Sequence, residues 1–149
     1  MLDTEKKPKT SHTFEKFLSI ANAILCVIIC VRIVQMFRFS FFSLFPFPGL
    51  YFLELIAMSV AVIFSVFRDR NEKPYDWGIL TWVATGIFLS FSILGAWTVG
   101  VFFLPSTFLL LLLGILSDVR QRRNLLIHLG IGLLAGVIQA IIMLTLVVF

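Results

Sequence analysis

Charge is scarce in this chain. Of its 149 residues only 13% are Asp, Glu, Lys or Arg, while 60% are hydrophobic. A water-soluble domain of this length has too little interior to hide so much apolar surface, which excludes the soluble globular class. Cysteine and histidine are nearly missing, at two of each. Cys26 and Cys30 share a helical face with Ser19 and Asn22, but two thiols are too few to complete a metal site. Helical i,i+4 spacing also holds them too far apart for an unstrained disulfide. Both read as small packing residues. His12 lies in a polar tail and carries no argument, and His128 reads as an interfacial hydrogen-bonding anchor. There is no metalloprotease helix, no glycine-rich phosphate loop, no nucleophile elbow and no pair of membrane aspartates. No catalytic, cofactor-binding or metal-ligating residue is therefore nominated.

What the chain does have is apolar length. Runs of about 18 or more apolar residues, each enough to cross a bilayer as a helix, fill nearly all of it, and the mean hydropathy is +1.04. The fold expected is an all-α integral membrane protein with about five transmembrane helices. Residues 1–16 read as a polar tail, and 17–149 as one membrane domain with spans near 17–37, 49–67, 77–96, 99–117 and 125–148. The apolar run after the basic start is too long for a signal-peptide core and no small-residue cleavage site follows, so it reads as an uncleaved span.

The connections alternate in character. The first, from Arg38 to Gly49, is rich in Phe and stopped by Pro46 and Pro48. The second, FRDRNEKPYD, is charged and contains Pro74. The third, GAWTVGVFFLPS, carries no charge and is punctuated by Gly95, Gly100 and Pro105. The fourth, SDVRQRRN, is basic again. Two in-out-in hairpins with aromatic outer turns and basic inner loops suggest a weak parallel repeat, with a fifth helix appended.

Orientation follows from the cations. Lys6, Lys7, Lys9, Lys16, Arg68, Arg70, Lys73, Arg120, Arg122 and Arg123 flank one set of helix ends, leaving only Arg32 and Arg38 at the other. The positive-inside rule then puts the N-terminus in the cytoplasm and the C-terminus outside. Tyr75 and Trp77 mark the inner interface, and Tyr51 and Trp97 the outer one. The pI near 9.4 is explained by this placement and by contact with anionic lipid head groups at the basic loops, not by nucleic acid.

Two features carry candidate function. Arg32, Gln35 and Glu54 lie at similar depths near the outer turn, roughly 8 to 10 Å below the boundary at ~1.5 Å per residue. A charge there is costly unless it is paired, neutralised or snorkelled to the interface. This candidate polar site is read as a structural ion pair in preference to a ligand or proton site. The second feature is the small-residue stripe Gly132, Gly136 and Ala140, a sign of tight helix contact; this face and the small residues of the third span invite partner helices. Gln139 beside it reads as a cross-helix hydrogen bonder. The function expected is that of a non-enzymatic accessory or assembly subunit of an inner membrane, joining other membrane subunits or copies of itself. The alternative is a minimal oligomeric transporter or channel with its site at Arg32 and Glu54; a lipid-modifying membrane enzyme comes last.

Overall fold

The computed structural model describes residues 9–36, 47–68, 78–95 and 99–148, with side chains described within 13–36, 49–68, 78–95 and 99–145. The described residues form five α-helices and no strand: α1 (Lys9–Met36), α2 (Phe47–Arg68), α3 (Gly78–Leu94), α4 (Leu104–Gln121) and α5 (Leu125–Val148), with a 3-10 turn at Gly100–Phe103 before α4. The Phe and Pro turn at 37–46, the charged loop at 69–77, and Trp97 lie outside the described residues.

Four helical segments have the length and apolarity to cross a bilayer: Thr13–Met36, Gly49–Arg68, Gly100–Gln121 and Leu125–Thr145. At 17 described residues α3 is shorter, about 26 Å at 1.5 Å per residue. It is also the most enclosed element. Its small and hydroxyl residues Thr81, Ala84, Thr85, Gly86, Ser90 and Ser92 are all buried, as their size and polarity lead one to expect of a span surrounded by other helices.

The packing order explains that burial. α1 lies against α2 and α4, α3 lies against the other side of the same two helices, and α5 packs on the far side of α3. Rings fill the centre: Phe88 and Phe91 meet Phe103 edge to face at centroid separations of 6.3 and 6.0 Å, and Tyr51 of α2 meets Phe91 at 5.1 Å. Such offset arrangements place the positive ring edge against the negative face.

Glycine sets how close α3 and α5 approach. A Cβ on Gly86 would run into the Gly132 carbonyl, and one on Gly136 would lie 3.0 Å from the Gly86 carbonyl. Ser90 Oγ donates to the Gly136 carbonyl across the same contact. The stripe read from the sequence thus meets the small face of α3 within the chain. Ala140 at its end is half-buried. The α3–α4 turn is equally tight, since a Cβ on Gly100 would lie 2.5 Å from the Gly95 carbonyl carbon and 2.6 Å from the Phe91 oxygen.

Two helix ends differ from the sequence expectation. α1 begins by Lys9, so residues 9–16 join the helix instead of trailing as a tail. α4 continues to Gln121, taking Ser117 and Asp118 out of the fourth loop. Its end is closed by a Schellman arrangement: Arg123 N–H donates to the Asp118 carbonyl at 3.0 Å and Arg122 N–H to that of Val119 at 3.3 Å. Arg122 takes the left-handed position at φ 55°, where glycine is usual. Asn124 then serves as N-cap of α5, its carbonyl accepting from the N–H groups of Ile127 and His128.

Candidate functional site

The polar side chains divide between the two ends of the bundle. At the end holding the α4–α5 loop, Asp118 of α4 faces inward with 1% of its surface exposed. Its Oδ2 accepts from Trp82 Nε1 of α3 at 3.0 Å, and both carboxylate oxygens lie 2.9 Å from His128 Nδ1 of α5. A carboxylate only accepts, so the Nδ1 proton points at Asp118 and Nε2 is the ring nitrogen left over. Glycines make room for the indole: a Cβ on Gly114 would lie 3.1 Å from the Trp82 ring, and one on Gly132 2.9 Å from the Trp82 carbonyl. Gly78 similarly admits the Arg123 guanidinium, which passes 2.5 Å from where its Cβ would stand, a point that also lies 3.8 Å from Asp118 Oδ1.

Beside this cluster α1 is tied to α4. Arg120 Nε donates to Glu15 Oε1 at 2.7 Å, with Glu15 1% exposed. Lys16 lies 4.6 Å over the Phe67 ring, joining α1 to α2. Asp118 and Glu15 escaped the sequence reading because one was assigned to a loop and the other to a tail. The signal that could have found them is helical spacing. Asp118 lies four residues after Gly114 and eight after Leu110, and Glu15 three and four residues before Leu18 and Ser19, all of them buried.

The interior between the ends is also polar on one side of α1. Ser106 of α4 donates to Asn22 Oδ1, while Asn22 Nδ2 has no partner among the described residues. Ser92 and Thr107 hydroxyls meet at 3.0 Å. Cys26 and Cys30 are free and buried, and the Ser59 hydroxyl lies beside Cys26. Among the described residues no group of three or more His, Cys, Asp or Glu side chains could hold a metal ion.

At the other end the residues nominated from sequence are separated. Glu54 of α2 is half-buried, and its Oε2 accepts from Gln139 Nε2 of α5 at 3.0 Å. This bond bridges two helices that do not otherwise pack together. Arg32 and Gln35 are exposed on α1, and no ion pair joins Arg32 to Glu54. Gln139 thus bonds to another helix, although to α2 and not to α3 on which the glycine stripe packs, and His128 is a hydrogen-bonded anchor.

Comparison with protein-family models, with curated proteins and with solved structures gives no match.

Proposed function

We propose that this chain is a small multispanning membrane subunit that works by helix packing, an accessory or assembly component with no chemistry of its own. In this reading α3 spans as a fifth helix, the end bearing Arg120, Arg122 and Arg123 faces the cytoplasm of an inner membrane, and anionic head groups gather there.

The observation that carries the proposal is Arg32. It is exposed on α1, in line with outward-facing Phe17, Ile24 and Ile28. A guanidinium on a surface of that kind is costly in hydrocarbon, by ~2.5 to 3.5 kcal/mol at the bilayer centre and less toward a helix end, unless it snorkels or a partner answers it. Gln35 one turn on and half-buried Glu54 repeat the pattern near the same end. A neighbouring membrane helix supplies partners for all three.

The test is purification of the tagged chain from its own membrane in mild detergent, with the mass and every co-purifying chain identified. A complex, lost on Arg32→Ala or Glu54→Gln while the variants still accumulate, is the expected result. A lone monomer sinks the proposal.

One observation favours the second reading, a minimal oligomeric transporter. Buried Asp118 and His128 form a polar pair at the opposite end from Glu54, and buried Glu15 is bonded to Arg120 at that same end. Uptake or proton release by reconstituted vesicles that disappears with Asp118→Asn would select that reading.

A further inference from the structure

Arg32 and Glu54 carry opposite charges at matched depth, both within about 10 Å of the helix ends that the α1–α2 connection joins, at ~1.5 Å per residue. Within one chain they do not meet. Glu54 is bonded to Gln139 of α5, and α5 does not pack against α1. Its Oε2 is occupied by Gln139, and Oε1 has no hydrogen bond among the described residues. Arg32 makes no ion pair with a described residue.

The surface below Arg32 is shaped as well as charged. Phe17, Ile20, Ala21, Ile24, Leu25 and Ile28 line a shallow apolar depression of about 340 Å³. Arg32 lies four residues beyond Ile28 and continues that face to its end. Around Glu54, α2 turns outward Leu50, Leu53, Val60 and Phe64, an apolar ridge with one acid at its edge. A depression ending in a cation and a ridge bearing an anion are complementary in both charge and relief.

We infer that a second copy of this chain covers the α1 face, its α2 ridge seated in the depression and its Glu54 paired with Arg32. The inference rests on the helix-packing reading above and names the partner. Copies inserted in the same orientation hold the two groups at the same depth, so no shift along the membrane normal is needed. The surfaces that meet are different, so the contact runs head to tail and closes as a ring if its rotation permits.

Two differently tagged copies, co-expressed and solubilised gently, test this by mutual co-purification. Wild-type copies are expected to co-purify. R32E in both copies, or E54R in both, is expected to abolish it through like charges. Co-expression of one R32E copy with one E54R copy restores opposite charges at each contact between unlike copies and is expected to restore co-purification, which a misfolded variant cannot do. Retention of the pair in both single variants, or no rescue in the mixture, overturns the inference. If the tagged copies never co-purify but another protein does, and leaves with R32E, self-pairing is overturned while the subunit reading stands. Monomers without any companion overturn both.

Discussion

Asp118 is where three helices are joined, because its two oxygens receive the Trp82 indole N–H from α3 and the His128 ring N–H from α5. Removing the carboxylate strands two buried donors and leaves Arg123 facing Gly78 without the nearby negative charge. Asp118→Ala is expected to destabilise the fold by about 3 kcal/mol, read as a lower thermal midpoint in detergent. Asp118→Asn keeps an acceptor for the indole and is expected to fall between Asp118→Ala and wild type. The reverse sign is expected one turn on. Arg122 holds a left-handed backbone at φ 55°, ψ 36°, which costs a residue with a Cβ about 1 kcal/mol or more relative to glycine. Arg122→Gly is thus expected to raise the same midpoint slightly. A fall would mean that the Arg122 side chain contributes more than its backbone costs.

Among the elements, α5 packs chiefly on α3 and is tied to the bundle by named contacts along its length. His128 fixes one end, Gly132 and Gly136 the middle against Gly86, and Gln139 reaches Glu54 near the other end. Its remaining surface, including Leu126, Leu133, Leu134, Ile138 and Ile141, is exposed and suits lipid. Gly86→Val is expected to force α3 and α5 apart, since the clash is with backbone that no rotamer change relieves. A loss of about 2 kcal/mol or more follows, measurable as earlier proteolysis of the α4–α5 loop with α1 to α4 intact. Close approach of small residues was legible in the sequence as a four-residue period. What the period could not say was whether the mate lay inside or outside the chain. The structure uses it internally, which removes these faces as evidence for partner helices and leaves Arg32, Gln35 and Glu54 as the polar groups that call for one.

At the scale of the whole molecule the five-span reading makes a prediction about sides. A cysteine appended after Phe149, in a Cys26→Ala, Cys30→Ala background, is expected to react with an impermeant thiol reagent added to intact cells. Labelling only after the membrane is opened would return the C-terminus to the side of the N-terminus and require an even number of spans. In the native chain Cys26 and Cys30, 0% and 5% exposed, are expected to resist the same reagent until the bundle is unfolded.

Composition and hydropathy by themselves determined the helical class and the approximate helix positions, because backbone polar groups in an apolar phase must be satisfied within each segment. They also marked α3 as interior, since its small and hydroxyl residues suit helix contacts better than lipid. Which charges meet was decided only by tertiary structure. Arg32 and Glu54 are near neighbours by depth yet lie apart, whereas Glu15 and Arg120, separated by most of the chain, are bonded. Depth along a helix can be counted in residues; the azimuth of each side chain depends on how α1 to α5 are arranged around one another, and that arrangement is a property of packing between segments.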